Sequence, residues 1–132
     1  MSKKVVARYQ DGRIVKGTSM DVDPNRPVFH VRPEQGPAVE VRMSDLKALF
    51  FVRSLDGDSK HTERQAVDPA DPRSRGSTVI SIGFADGETI TGLTIAYPPK
   101  RQYYFVLPVD PQSNNMRILI NGDAVTAMEK VA

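Results

Sequence analysis

Residues 5–52 read VVARYQDGRIVKGTSMDVDPNRPVFHVRPEQGPAVEVRMSDLKALFFV, and residues 80–131 read ISIGFADGETITGLTIAYPPKRQYYFVLPVDPQSNNMRILINGDAVTAMEKV. The second stretch repeats the first. Asp11 and Gly12 correspond to Asp86 and Gly87, Gly17 to Gly92 and Pro33 to Pro108, each pair 75 positions apart. Beyond that proline the spacing is 79, and Val41, Leu46, Ala48 and Val52 correspond to Ile120, Val125, Ala127 and Val131, so the second copy carries a longer loop at this point. Self-similarity of this kind marks a duplicated structural unit.

Each copy opens on alternating apolar residues, Val5, Ala7 and Tyr9 or Ile80, Ile82 and Phe84, the period of a half-buried strand. Asp-Gly then predicts a tight hairpin turn. A second strand follows over 13–22 or 88–97, with Gly17 or Gly92 inside it; an interior glycine predicts a bulge or a sharp bend. The proline-bearing turns DPNRP and PPKRQ lead to a third strand, VFHVR or YYFVL, and a fourth, AVEVRM or RILIN. A short turn, of one 3₁₀ turn at most, precedes the last strand, KALFFV or TAMEKV. The fold expected is all-β: two tandem small five-stranded barrels of SH3-like or Sm-like type, over 1–55 and 77–132, joined by a charged, proline-bearing linker at 56–76. Units of about 50 residues stand near the lower size limit for independent folding, so the two copies are expected to lean on each other or on a partner.

Ten prolines and nine glycines in 132 residues favour short elements joined by turns. Cysteine is absent, which excludes disulfides, thiol catalysis and cysteine-based zinc sites. No apolar run reaches the length of a signal peptide or a membrane span, and the expected location is the cytoplasm. The net charge of +2 is too small to argue for a polyanion partner, but residues 1–53 hold ten Lys and Arg against six Asp and Glu, so any attraction to phosphate sits on the first copy.

Copies that share a fold reveal function where they diverge. Phe29 and Val31 match Tyr104 and Val106 and are assigned to the core; the other face of the third strand is Val28, His30 and Arg32 in one copy but Tyr103, Phe105 and Leu107 in the other. In the fifth strand Phe50 and Phe51 become Glu129 and Lys130. Each copy thus has an apolar excess that needs a cover, and the two excesses are expected to meet, within one chain or between two. Phe50, Phe51, Tyr103, Phe105 and Leu107 are the candidate partner-binding residues. The polar candidates are Asn25 and Arg26 in one turn and Asp110, Asn114, Asn115 and Arg117 around DPQSNNMR, whose amides and guanidinium can either hold a ligand or satisfy the turn.

Nothing forms a nucleophile setting or a glycine-rich phosphate loop, and the two histidines, His30 and His61, lie in a strand and in the linker. No catalytic residue, metal site or cofactor is expected. The glycine-bent second strand and the segment Ile120-Asn121-Gly122-Asp123-Ala124-Val125 resemble the Sm-like family of small barrels, in which loop Asp and Asn residues bind RNA bases and the fourth strand ends on I-R-G-D/N-N-V. This chain has Asn121 where that family has Arg and Ala124 where it has Asn. The whole chain is similar to an uncharacterised bacterial domain family with a DG turn, a KG or TG, a phrase like DLKALFFVRSLDGD and then P-x-D-P-x-S-N-N-x-R, present here at 11–17, 45–58, 86–92 and 108–117. The function expected is a non-enzymatic protein-binding or adaptor module, or a homo-oligomer, acting through apolar strand faces, loops and an exposed edge strand. The alternative is single-stranded nucleic-acid binding through Arg8, Lys16, Arg26 and Arg32 with aromatic stacking. No membrane is involved in either.

Overall fold

The computed structural model describes residues 2–131 apart from 58, 59, 65, 67 and 69. Its strands, in chain order, are β1 (Lys3–Tyr9), β2 (Ile14–Ser19), β3 (Val28–Val31), β4 (Val39–Arg42), β5 (Leu46–Val52), β6 (Thr78–Phe84), β7 (Thr89–Thr94), β8 (Tyr103–Pro108), β9 (Asn115–Asn121) and β10 (Val125–Lys130). The duplication is therefore a five-strand unit used twice. Each unit puts one 3₁₀ turn, Met43–Asp45 or Gly122–Ala124, before its last strand.

The two Asp-Gly turns are built alike. The Tyr9 N–H donates to the Arg13 carbonyl and the Phe84 N–H to the Glu88 carbonyl, while Asp11 and Asp86 each accept from the backbone N–H two residues on. Only the glycines take left-handed backbone, Gly12 at φ +95 and Gly87 at φ +88. The loop is thus longer than a two-residue turn with positive φ at both positions.

Gly17 and Gly92 serve a different purpose from a bulge. The β1–β2 register runs unbroken from Lys3–Ser19 to Arg8–Ile14. A Cβ on Gly17 would run into the Arg32 carbonyl, and one on Gly92 would lie 3.1 Å from the Leu107 carbonyl. In both units the glycine lets the end of the third strand cross close over the second.

The all-β class is as expected, but the strands do not close into two barrels. Eight form one sheet in the order β10-β6-β7-β8-β9-β5-β1-β2, and β3 and β4 form a separate pair that meets β2 at a Thr18–Arg32 bridge. The join between the copies is an antiparallel pairing of β5 with β9, with Leu49 opposite Leu119 and Phe50 opposite Ile118. LKALFFV is buried at every position. A buried run of this kind, apolar except for Lys47, belongs to a strand covered on both faces.

Alternation along the β5–β9 join distributes its side chains between two cores. Leu49, Phe51 and Leu119 enter the core formed by Val5, Tyr9, Phe29, Val31 and Val41 of the first copy, with Tyr103 and Phe105 packed against it. Ala48, Phe50, Val52 and Val6 enter the core formed by Ile80, Ile82, Phe84, Val106 and Ile120 of the second. Each core is completed by residues of the other copy. The apolar excesses of the two copies do meet within one chain: the Phe51 and Phe105 rings lie 6.0 Å apart, and the Arg117 guanidinium stacks on both, 4.4 and 4.6 Å from their centroids.

Candidate functional site

The longer loop of the second copy is the first component of the site. Asp110 is buried there, and its carboxylate accepts from the Gln112 N–H at 2.9 Å, the Arg64 N–H at 2.8 Å and the His61 ring at 2.7 Å. The two backbone hydrogen bonds lower its pKa to about 2, and His61 adds to the effect. Asn114 exchanges hydrogen bonds with the backbone of Ser54, and Arg53 donates to the Ser113 and Pro111 carbonyls. Arg73, held by Asp71, donates to the carbonyls of Pro108 and Val109. The loop thus seats the segment between the copies, which passes over the end of β8.

The second component is the Asp-Gly turn of the second copy, held by cations of the first. Lys47 stands inside the apolar run of β5 and is 8 % exposed; its Nζ lies 2.7 Å from Asp86 and 2.6 Å from Glu88. Burial would lower the pKa of Lys47, but the hydrogen bonds it donates to Asp86 and Glu88 outweigh it and leave the pKa raised. Arg8, on β1, lies with its guanidinium 5.1 Å from the Phe50 centroid and Nη1 3.6 Å from Glu88. Its Nε is buried without a hydrogen-bond partner among the described residues.

Between these components is a cleft of about 310 Å³. Phe50, Ile90 and Ile118 contribute apolar surface, Arg8, Thr89, Thr91 and Asn115 contribute polar groups, and Glu63 and Arg64 border it from the joining segment. It exists because β7 and β8 diverge. Their pairing covers only Gly92–Pro108 and Leu93–Leu107, so Thr89–Thr91 pair with β6 alone.

The predicted site residues fall into three groups. Phe50 and Phe51 are buried in the two cores, and Tyr103, Phe105 and Leu107 are half-buried along β8, so the apolar excess is covered within the chain. Phe51, Phe105 and Arg117 also border a smaller cleft of about 220 Å³ with Met20 and Val22. Asp110 and Asn114 hold the loop together, and Asn115 borders the main cleft. Asn25 and Arg26 are exposed in a turn closed by Asp23. Of the basic residues of the first copy, Arg8 is in the cleft, Lys16 reaches the Leu55 carbonyl, Arg26 pairs with Asp23, and Arg32 is exposed beyond β3.

Lys47, Arg53 and the Thr89–Thr91 edge were not singled out in the sequence, and His61 was placed only in the linker. Lys47 carried a signal, a lone charge within an otherwise apolar strand, which marks a buried ion pair. The others are brought together only by the join between copies. His61, Glu63 and Asp110 place one potential metal-ligating atom each within 4.8 Å of one another. The hydrogen bond from His61 to Asp110 already accounts for that approach. Among the described residues no helix is long and apolar enough to cross a membrane.

The chain belongs to a family of unknown function, DUF6982, whose model matches residues 1–132. No curated protein and no solved structure matches it.

Proposed function

We propose that this member of the family is a non-enzymatic protein-binding module of the cytoplasm, in which two curled β units of SH3-like or Sm-like strand order act as one rigid body. The order β10-β6-β7-β8-β9 in the second unit supports the comparison with those barrels. One observation carries the reading. Within the chain, the fifth strand of one unit receives the fourth strand of another, as β5 receives β9; β10 is the equivalent of β5, and its outer edge has no strand partner among the described residues. A partner's extended segment added along β10 repeats that pairing and completes the edge through backbone hydrogen bonds.

The edge is selective. Where β5 has Phe50 and Phe51, β10 has Glu129 and Lys130, both exposed. Charges on an edge strand disfavour indiscriminate pairing with apolar strands, so the partner segment is polar or oppositely charged on the face it presents. Nucleic-acid binding is less well supported. The aromatic side chains that would stack on bases are mostly covered, with Tyr97 the exposed aromatic among the described residues, and of the basic residues of the first copy Arg8 approaches Glu88 and Arg26 pairs with Asp23.

The test is a variant that removes one outward donor and little else. The Val131 N–H donates to the Val79 carbonyl of β6, so by strand alternation the Lys130 N–H faces the open side. Lys130→Pro deletes that donor while leaving the fold intact. Protein partners captured from native cells by the unaltered chain should be lost with Lys130→Pro. Capture unaffected by the substitution sinks the edge reading, and a salt-sensitive shift with single-stranded oligonucleotides would transfer support to the alternative.

A further inference from the structure

The cleft between the two components sets a cation and polar groups beside apolar surface. Its donors include Arg8 Nε, which is buried and unpaired, together with the Thr89 and Thr91 hydroxyls and the Asn115 amide. Several of its acceptors already have partners. The Pro108 and Val109 carbonyls accept from Arg73 and the Glu88 carboxylate is held by Lys47, while the Glu63 carboxylate at the border lies 3.9 Å from His61, beyond hydrogen-bond distance. Phe50, Ile90 and Ile118 line the same cleft with apolar surface. A donor-rich wall beside an apolar one selects a ligand with an acceptor at one end and a compact apolar body at the other.

Arg8 indicates which acceptor. Its stacking on Phe50 holds the guanidinium plane in place, and its 3.6 Å contact with Glu88 is an ion pair without a hydrogen bond, so the guanidinium keeps N–H groups for a further acceptor. A planar fork of two parallel N–H groups matches a carboxylate. We propose that the cleft binds a carboxylate carried on a compact apolar group, the carboxylate at Arg8 and the apolar group over Phe50, Ile90 and Ile118. At about 310 Å³ the cleft holds one such group and little more. The same chemistry is found in a small apolar carboxylic acid and in the C-terminal residue of a polypeptide.

The experiment is a titration of the full, isotope-labelled chain followed by amide chemical shifts, with four probes: 3-phenylpropionate, 3-phenylpropanol, a pentapeptide ending in Leu with a free carboxylate, and the same peptide as its C-terminal amide. The expected result is saturable shifts at Phe50, Thr89–Thr91 and Asn115 with one or both carboxylates, and at least tenfold weaker binding of the alcohol and the amide. Arg8→Met should weaken the carboxylates at least tenfold, and Arg8→Lys should recover only part of that loss because it lacks the fork. The tighter of the two carboxylates assigns the source. Equal binding of each carboxylate and its neutral counterpart overturns the proposal, as does the absence of shifts at the cleft with every probe. The comparison of carboxylate with neutral probe needs no variant, so a poorly folding Arg8 substitution does not blunt it. Lys130→Pro should leave the titration unchanged, which separates this site from the β10 edge.

Discussion

Replacing Phe51 with Ala tests whether the duplicated units behave as a single cooperative body. The ring is 4 % exposed in the first core, 6.0 Å from the Phe105 ring of the second copy and under the Arg117 guanidinium. Emptying a buried Phe site costs about 3–5 kcal/mol, a figure that includes an aromatic pair of about 0.5–1.5 kcal/mol. A domain of this length has a total stability of about 7–20 kcal/mol, so the variant remains folded but loses a large share. With a urea dependence of about 2 kcal/mol per molar, the midpoint falls by about 2 M. Amide signals of Val31 in the first copy and Ile82 in the second report on the two cores separately. Because β5 is hydrogen-bonded to β9 and Phe51 touches both copies, both signals should disappear together at the lowered midpoint. If Val31 is lost early while Ile82 keeps its original midpoint, the units unfold independently and the shared-core argument is wrong.

Three further outcomes follow from particular contacts. Gly17→Ala drives a Cβ into the Arg32 carbonyl whereas Gly92→Ala meets neighbours at 3.1 Å, so by thermal melting the first should cost about 2–3 kcal/mol and clearly more than the second. The Asp110 carboxyl is lowered to about 2 from an ordinary 3.8; a depressed folded pKa contributes stability that is present above the ordinary value and lost as pH falls toward 2. The stability gap between the parent chain and Asp110→Asn should therefore be constant near neutrality and shrink between pH 4 and 2, and a gap that does not change over that range would contradict the hydrogen-bond account. Glu129→Phe combined with Lys130→Phe restores on β10 the pair that β5 uses to bind β9, and the sheared edge should then pair with β4 of another molecule, the equivalent of β9. Light scattering should report association that grows with concentration, and a monomer at all concentrations would show that those charges do not guard the edge.

What was legible in the sequence was what alternates or repeats locally. The apolar period of 5–9 and 80–84 placed Tyr9 and Phe84 in cores and the Asp-Gly pairs placed two like turns, whereas the bulge or bend expected at Gly17 and Gly92 is instead a close approach of the third strand to the second. The exchange of Phe50 and Phe51 for Glu129 and Lys130, set against Tyr103, Phe105 and Leu107, marked where the copies had to meet. These are properties of a strand and its nearest neighbours, written in residue type at fixed spacing.

Two things depended on tertiary structure. The hydrogen bonding of β5 to β9 turned two expected barrels into a continuous eight-stranded sheet, because the outer edge of a strand carries the same backbone donors and acceptors whatever its side chains, and sequence does not say which other edge they meet. The cleft depended on the same join: Arg8, Phe50 and Thr89–Thr91 come from strands of different copies, and their distances follow from the β5–β9 register and the divergence of β7 from β8. The sequence by itself determined the five-strand unit, its turns and which faces are apolar, since these follow from local periodicity. Which edges pair, and therefore what lines the cleft, was decided only when non-local strands came into register.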